Sequence, residues 1–172
     1  MYEHPSLLHA REIRGQAQTA SVRELLSHWI AIHPGDRIPA RADFDPLSVP
    51  RVLPSLVLTD VERDPYRFRV RVMGTAVVEA MGEDFTGRYL DEVWPNADEQ
   101  LLVRHRVEVV ESGLPNYRYG VSPTSFRLDF AALERVFLPF AANGEDVDVI
   151  LSAIVYMQPA RRDEGRVGQS AN

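Results

Sequence analysis

The segment from residue 74 to residue 94 (GTAVVEAMGEDFTGRYLDEVW) limits the possible folds more than any other part of the chain. Its three glycines, Gly74, Gly82 and Gly87, stand where a helix must start, stop or turn. Two strand-like runs precede the segment, and a longer helical run followed by three more strand-like runs comes after it. This order predicts one α+β domain in which short helices are inserted between the second and third strands of a sheet.

The first two strands are predicted at residues 55–62 (SLVLTDVE) and 66–73 (YRFRVRVM), with a tight hairpin at residues 63–65. The second strand alternates apolar and basic side chains, with Phe68, Val70 and Val72 facing one way and Arg67, Arg69 and Arg71 the other. Such alternation predicts an antiparallel sheet with one face in water. The three arginines could bind an anion, but a charged outer face is more often only solvated.

Three further strands are predicted in the last third of the chain, at residues 115–121, 133–140 and 147–157. The second of them alternates two sets of side chains, Leu133, Arg135 and Phe137 against Val136, Leu138 and Phe140. Asn143 and Gly144 form a dipeptide that predicts a hairpin after this strand. Residues 147–157 (VDVILSAIVYM) are the most apolar run and are therefore predicted to form a central strand.

The longest helix is predicted at residues 97–112 (ADEQLLVRHRVEVVES), closed by Gly113. Its apolar side chains share one arc of the helix: Leu102, Val103, Val107, Val109 and Val110. Arg106 lies in the middle of this arc and His105 at its edge. An arginine inside an apolar arc usually reaches water or an acidic partner, and less often it binds an anion in a cavity.

Before the sheet, a helix is predicted to begin at Ser21, with Glu24 completing a capping box. Its apolar positions form one stripe, made of Val22, Leu25, Leu26 and Trp29. Pro34 and Gly35 end the helix. Residues 34–54, which we call the strap, contain five prolines, and this predicts an ordered extended segment with one or two short turns.

Composition removes several classes of function. The 172 residues carry a net charge of −6 and a pI near 5.4, so nucleic acid is not an expected partner. The chain has no cysteine, which excludes disulfides, thiolate nucleophiles and cysteine metal sites. No signal peptide or apolar run of about 20 residues is visible, and we therefore expect a cytoplasmic protein without a membrane partner.

No catalytic motif is visible in the sequence: there is no nucleophile elbow, phosphate-binding loop, dinucleotide glycine pattern or histidine pair with metal spacing. The acid–base candidates near the predicted cleft are Glu79, Asp84 and His105. Each stands at a helix end or at the edge of an apolar arc, where a solvated side chain is the usual outcome. His105 is also the one candidate haem ligand, but a single such histidine is most often a surface residue. We therefore expect neither haem nor catalysis.

The sequence resembles the PAS domain superfamily in four phrases: HW-x-x-I-HPGDRIPARADFDP, VLPSLVLTDVE, YRFRVRVMGTAVVEAMGEDFTGRYL and a late VFLPF. A strand pair, small helices with glycine corners, one longer helix and three strands is also the order of elements in PAS domains. More narrowly, the chain resembles a bacterial family of short, mostly single-domain PAS proteins with a PaRaDiDP-like strap and a GT...GxDxTGR core. The resemblance runs from about Leu25 to Met157.

In the strap, Arg41, Asp43 and Asp45 match the motif positions of that family. We expect Asp45 to cap the turn begun by Pro46. We expect Arg41 and Asp43 to tie the strap to the sheet.

The resemblance implies a five-stranded antiparallel sheet with a helical cluster on one face and an N-terminal flanking helix. We expect a single domain over residues 21–157, an extension at residues 1–20 and a polar tail at residues 158–172. The implied function is regulatory: sensing a small molecule in the cleft between sheet and helices, docking a signalling protein, or both. The alternative is a cone-shaped α+β hydratase or isomerase of the NTF2-like kind, although the long helices of such enzymes usually precede the sheet.

If the cleft binds a ligand, we expect Arg106 to be its polar anchor and to select a carboxylate or another anion. The rest of the predicted wall is apolar or aromatic, and it consists of Phe68, Val70, Met81, Phe85, Trp94, Tyr119 and Leu151. The competing expectation is a packed core in which Arg106 pairs with an acidic residue. For assembly we predict a homodimer through the helix carrying Leu25, Leu26 and Trp29, unless this stripe covers the chain's own sheet.

Overall fold

The computed structural model describes residues 2–95, 101–120 and 132–157. Within these ranges five strands form one antiparallel sheet: β1 (Leu56–Glu62), β2 (Arg67–Met73), β3 (Asn116–Gly120), β4 (Ala132–Phe140) and β5 (Val149–Met157). Their spatial order is β2-β1-β5-β4-β3. The predicted five-stranded antiparallel α+β fold is therefore confirmed, and β5 is the central strand as predicted.

The helices lie in two groups along the chain. They are α1 (Pro5–Gln16) and α2 (Ala20–Ile32) before the sheet, and α3 (Thr75–Met81), α4 (Leu90–Val93) and α5 (Leu101–Ser112) between β2 and β3. Gly113 closes α5 as predicted, because its N–H donates to the Val109 carbonyl at 2.9 Å. The start of this helix predicted at residue 97 and the tail predicted at residues 158–172 lie outside the described residues.

Two features of the N-terminal helices differ from the prediction. Helix α1 occupies a region whose weak apolar pattern predicted no element, and it buries Leu7, Ala10 and Ile13. Helix α2 begins at Ala20 with Thr19 as its cap, so the predicted start at Ser21 is wrong by one residue. The Thr19 hydroxyl accepts the Val22 N–H at 3.3 Å and so takes the capping role that the sequence assigned to Ser21.

Both faces of the sheet are covered by helices. We call the apolar side chains beneath α1, α2 and the strap the first core; it includes Leu25, Trp29, Phe44, Leu138 and Leu151. The second core lies beneath α3, α4 and α5, and it includes Phe68, Val77, Val109, Phe137 and Ile150. The prediction of a sheet with one face in water is therefore wrong, because alternating residues of the inner strands are apolar on both sides.

A bulge in β2 reverses the orientation of one predicted core residue. Leu58 of β1 pairs with Val72 whereas Thr59 pairs with Val70, so Arg71 is the extra residue. Val72 consequently points to the face opposite Val70 and is 50% exposed. The prediction that Val72 shares a face with Phe68 and Val70 is wrong for this reason.

The arginines of β2 form exposed ion pairs. The Arg67 guanidinium donates to Asp91 at 2.9 and 3.0 Å and to Glu92 at 3.0 Å. Arg69 and Arg71 both lie 3.3 Å from Asp60. Hydrogen bonding to Asp91 and Glu92 raises the pKa of Arg67. The basic side chains of this edge strand are therefore solvated, although helices cover the inner strands on both faces.

The strap contains three short 3-10 turns, Arg41–Asp43, Pro46–Ser48 and Leu53–Ser55. Asp45 caps the second turn as predicted, since its carboxylate accepts the Leu47 N–H at 2.9 Å. Arg41 donates to the Phe44 carbonyl at 3.0 Å, and Asp43 accepts the Ala40 N–H at 3.0 Å. The prediction that Arg41 and Asp43 tie the strap to the sheet is therefore wrong, because both bonds stay within the strap.

The apolar stripe of α2 packs against the chain's own sheet. Val22, Leu25, Leu26 and Trp29 are all fully buried in the first core. The Trp29 indole N–H donates to the Pro139 carbonyl of β4 at 3.2 Å. The stripe therefore covers the chain's own sheet, which was the competing expectation, and a homodimer through other parts of this helix stays a prediction.

A buried carboxylate attaches the start of α2 to the sheet. Glu134 of β4 is fully buried. It accepts the Gln18 N–H at 2.6 Å, the Thr19 N–H at 2.8 Å and the Tyr117 hydroxyl at 2.7 Å. Burial, and then the hydrogen bond to Glu134, raises the pKa of Tyr117. Every oxygen of this carboxylate thus has a donor, as a buried charge requires.

No helix in the described ranges has the length and apolar character needed to cross a bilayer.

Candidate functional site

A cavity of about 260 Å³ lies between the sheet and helices α3 to α5. Its wall is mostly apolar, and the apolar and aromatic members are Val57, Val70, Met73, Val77, Met81, Phe85, Leu90, Trp94, Leu102, Leu133, Phe137 and Ile154. Tyr119, Gly120 and Tyr156 border it as well. The other described residues that line it are basic or imidazole side chains on α5, β3 and β4.

Two glycines bring the α3–α4 segment close to the sheet. A Cβ at Gly74 would lie 2.3 Å from the Pro54 carbonyl oxygen, so only glycine lets α3 start against the strap. Gly87 has a φ of +89°, and its N–H donates to the Val70 carbonyl at 2.7 Å. These contacts hold Phe85 and the start of α4 over the outer strand of the sheet, where they close the cavity.

The structure places six of the eight predicted binding residues along the cavity: Arg106, Val70, Met81, Phe85, Trp94 and Tyr119. Phe68 lies in the second core but does not line the cavity. Leu151 lies on the opposite face of the sheet, in the first core, so its predicted place in the wall is wrong. Ile154 of the same strand reaches the cavity instead. The sequence could not choose between them because both alternating sets of side chains in β5 are apolar.

Four side chains at one end of the cavity form what we call the basic cluster: His105, Arg106, Arg118 and Arg135. Of the three arginines only Arg106 was predicted from the sequence. A signal for Arg135 was present, since the alternation of β4 places it on the same face as Leu133 and Phe137. Arg118 and Arg135 pair directly across β3 and β4, an arrangement of like charges that is unfavourable without a counter-charge.

Arg106 is almost completely buried, with 3% of its surface exposed. Its Nη1 donates to the Leu102 carbonyl at 3.1 Å, and its guanidinium carbon lies 4.3 Å from the centre of the Phe137 ring. Its Nε has no hydrogen-bond partner. Burial lowers the pKa of Arg106 to about 9, so the side chain is still a cation at neutral pH. The predicted acidic partner in a packed core is not found among the described residues.

Arg135 is also 3% exposed and lies 4.0 Å from the centre of the Phe137 ring. It donates to the Asn116 side-chain oxygen at 3.0 Å and contacts His105 Nδ1 at 2.5 Å. Burial lowers the pKa of Arg135 to about 9, and the charges of Arg106 and Arg118 add to this effect. Two buried cations thus stack near one phenyl ring.

His105 is buried, so the expectation of a surface histidine is wrong. Arg118 lies 3.0 Å from its Nε2, while Arg135 contacts its Nδ1. Burial, followed by the nearby arginine charges, lowers the pKa of His105 to about 4, and the imidazole is therefore neutral at pH 7. Because guanidinium groups occupy the neighbourhood of both ring nitrogens, neither nitrogen is open to a haem iron.

The other two acid–base candidates lie at the surface. Glu79 and Asp84 are exposed. Asp84 accepts the Thr86 N–H at 2.9 Å and the Thr86 hydroxyl at 2.6 Å, which lowers its pKa and makes it a turn residue. In the described part of the chain, no group of three or more acidic or histidine side chains is arranged to hold a metal ion.

A family model described as a PAS domain matches residues 17–155 of this sequence. The chain belongs to the PAS domain family. PAS domains are generally regulatory sensor domains rather than enzymes, and they commonly bind small molecules, dimerise or signal to partner proteins. The alternative cone-shaped hydratase or isomerase fold is therefore wrong, while the narrower resemblance to the family with the PaRaDiDP-like strap stays a prediction.

Several solved structures are similar to this PAS domain at low sequence identity. The PAS domain of histidine kinase ThkA is 15% identical, with a TM-score of 0.43, and the match covers 59% of this chain and 96% of that one. A sensory box sensor histidine kinase from Vibrio cholerae is 13% identical, with a TM-score of 0.48 and coverages of 66% and 90%. A light-oxygen-voltage domain studied with a flavin analogue is 12% identical, with a TM-score of 0.47 and coverages of 68% and 88%. No curated protein matches the chain significantly.

Proposed function

We propose that this PAS domain is a regulatory sensor that binds a small molecule in the cavity between the sheet and helices α3 to α5. The observation that carries the proposal is a largely apolar cavity that borders two buried guanidinium groups, one of which, Arg106, has an Nε without a hydrogen-bond partner. Interiors of proteins are normally packed without voids larger than a water molecule. A volume of about 260 Å³ corresponds to roughly nine waters at ~30 Å³ each, which is the size of a ligand rather than of a packing defect.

We propose further that ligand binding in the cavity shifts β4 and the helices attached to it. Arg135 faces the cavity, and the adjacent Glu134 holds the N-terminus of α2 on the other face. A ligand that binds the Arg135 guanidinium would shift the backbone of β4, which also carries Glu134. Helices α1 and α2 would move with it. A partner protein, or a second copy of this chain, would then bind these helices differently. The contact would use a surface other than the buried apolar stripe of α2.

Binding can be tested on the purified full-length chain by native mass spectrometry, with two variants of α3 for comparison. Val77→Phe adds bulk at a residue that lines the cavity, whereas Val78→Phe adds the same bulk at a neighbour that does not. We expect the extra mass of a bound small molecule in the parent and in Val78→Phe, and its loss in Val77→Phe.

Tryptophan fluorescence gives an independent readout because the chain has two tryptophans, one on each face of the sheet. Trp94 lines the cavity, whereas Trp29 lies in the first core. A ligand in the cavity should change the emission of the parent but not that of Trp94→Phe. Absence of any bound mass, together with no emission change for neutral and anionic probes, would show that the cavity is not a binding site.

A second candidate function is proton transfer with His105 as general base, which is favoured by its burial in the cavity as a neutral imidazole. Two observations rank it below sensing. A pKa of about 4 makes a weak base at neutral pH, and no carboxylate among the described residues orients the ring.

This candidate predicts that a bound ligand exchanges carbon-bound hydrogen with solvent deuterium, and that His105→Gln abolishes the exchange while binding persists. Mass spectrometry of the ligand after incubation in D₂O measures both. A ligand recovered without deuterium would leave sensing as the function of the site.

A further inference from the structure

The basic cluster holds more hydrogen-bond donors than acceptors. A neutral imidazole carries a proton on one ring nitrogen and accepts at the other. Yet Arg118 and Arg135 each direct a guanidinium nitrogen at a different ring nitrogen of His105. One of these two contacts therefore sets an N–H group against another N–H group. The Nε of Arg106 adds a further donor without an acceptor.

Within residues 2–95, 101–120 and 132–157 the cluster also has no buried acidic partner. No described residue that lines the cavity is acidic. Glu108 on α5 is the acid whose charge reaches Arg135, but it is exposed, and its carboxylate accepts from the Asn116 side chain at 3.3 Å. Because isolated buried cations are costly, two of them at 3% exposure with no acidic partner among the described residues favour the entry of an anion.

The rest of the cavity determines what kind of anion fits. Away from the basic cluster the wall is made by Val77, Met81, Phe85 and Trp94 on the helical side and by Val57 and Ile154 on the sheet. Sugars, nucleotides, dicarboxylates and inorganic phosphate would place polar groups against this surface, which costs free energy. A ligand with an apolar body and one charged end matches both parts of the cavity.

We infer that the ligand of this cavity is an amphipathic monocarboxylate of about ten non-hydrogen atoms, the number that ~260 Å³ holds at close to liquid density. Its carboxylate lies between Arg106 and Arg135 and accepts from their guanidinium N–H groups, among them the unpartnered Nε of Arg106. Its apolar body lies against the α3–α4 segment. Guanidinium forks match the two oxygens of a carboxylate, which gives the pairing its selectivity. This inference rests on the proposed function, since it names the class of ligand that the sensor binds.

The charge requirement can be tested with probes that share a tail and differ in the head group. Octanoate and 1-octanol are titrated into the full-length protein, with Trp94 emission or calorimetry as the readout. Succinate and inorganic phosphate serve as anions without an apolar body. We expect octanoate to bind about tenfold or more tightly than octanol, and succinate and phosphate not to bind at comparable concentrations.

Three variants of α5 assign the effect to Arg106. Arg106→Met should weaken octanoate binding by about tenfold or more and leave octanol binding within about twofold, whereas Arg106→Lys should retain part of the octanoate affinity. Arg104→Met is the matched control, because Arg104 is exposed on the same helix and does not line the cavity. It removes the same charge and should leave octanoate affinity within about twofold.

The outcomes separate this inference from the proposed function. Octanol binding as tightly as octanoate, or octanoate binding that survives Arg106→Met, overturns the carboxylate assignment and leaves the sensor function in place. Tighter binding of succinate or phosphate than of octanoate overturns the amphipathic assignment alone. If none of the four probes binds and no small molecule co-purifies, both the inference and the proposed function are wrong.

Discussion

Glu134 and Arg135 are neighbours on β4, and both are charged and buried, but they project to opposite faces of the sheet. Glu134 accepts three hydrogen bonds at 2.6 to 2.8 Å and attaches α2 to the sheet. Arg135 lines the cavity together with Arg106 of α5, whose Nε has no hydrogen-bond partner. The hydrogen bonds of the buried Glu134 are complete, whereas the buried Arg106 keeps a donor without a partner, and this difference is the basis of the proposed ligand site.

The two cores also differ in how completely they are packed. The first core closes over Trp29, whose indole N–H donates to the Pro139 carbonyl, and the stripe around it has no exposed surface. The second core contains the cavity, and the other tryptophan, Trp94, lines it. The first core of this PAS domain is therefore closely packed, whereas the second core contains a cavity.

The largest expected effect is at Glu134. Glu134→Ala removes the shared acceptor of the part-buried Gln18 and Thr19 N–H groups and of the Tyr117 hydroxyl, and we expect the free energy of unfolding to fall by about 2 kcal/mol or more. Urea unfolding measures the change, and Glu145→Ala at an exposed position should stay within about 0.5 kcal/mol of the parent. A loss below about 1 kcal/mol at Glu134 would remove the distinction drawn between the two faces.

Acid should destabilise both faces through one histidine each. Burial lowers the pKa of His33, between α2 and the strap, and of His105 to about 4. Since both values lie below the unfolded value of about 6.5, the unfolded chain binds more protons, and stability present above pH 6.5 is lost as the pH falls toward 4. The neighbours that face His33 are His4, Arg11 and Asp36, and those that face His105 are its surrounding arginines.

We expect the free energy of unfolding to fall by about 1 kcal/mol per pH unit for each histidine between pH 6.5 and 4.5. Urea midpoints at pH 7.5, 6 and 5 measure this slope, and His33→Gln and His105→Gln should each remove part of it. Octanoate near His105 should reduce the contribution of that histidine alone. A flat profile over this range would contradict the buried neutral state of both imidazoles.

Arg106→Met should have the opposite sign to Glu134→Ala. It removes a buried charge that has no acidic partner among the described residues and places an apolar side chain in an apolar wall, so we expect the unliganded protein to gain up to about 1 kcal/mol or to stay unchanged. Thermal unfolding of the ligand-free protein measures it. A loss above about 2 kcal/mol would instead assign Arg106 a structural role like that of Glu134.

The smallest expected effect is at the exposed charges of β2, which belong to neither core. Asp91→Asn removes one carboxylate from Arg67, yet Glu92 remains within 3.0 Å, and exposed pairs contribute little. We expect a loss of at most about 0.5 kcal/mol in urea unfolding at moderate salt. A larger loss would show that the outer face of β2 contributes to stability more than its exposure suggests.

Much of the fold was predictable because its signals are local. The alternation in β2 and β4, the Asn143-Gly144 turn and the Gly113 cap each depend on residues close together in the chain. The candidate site was predictable in part for the same reason, since the helical arc alone placed Arg106 among apolar neighbours. Helix α1 escaped prediction because its apolar residues are too few to form a clear pattern.

The sequence by itself determined the strands, the order of elements and the presence of an arginine on an apolar helix face, because periodicity, turns and caps act over a few residues. The tertiary structure alone decided which apolar set of β5 meets the cavity, that a bulge turns Val72 outward, and that α2 packs on its own sheet. It also decided which buried charges are satisfied. Glu134 finds its donors 116 and 115 positions away, at Gln18 and Thr19, and no local pattern in a sequence carries contacts of that range.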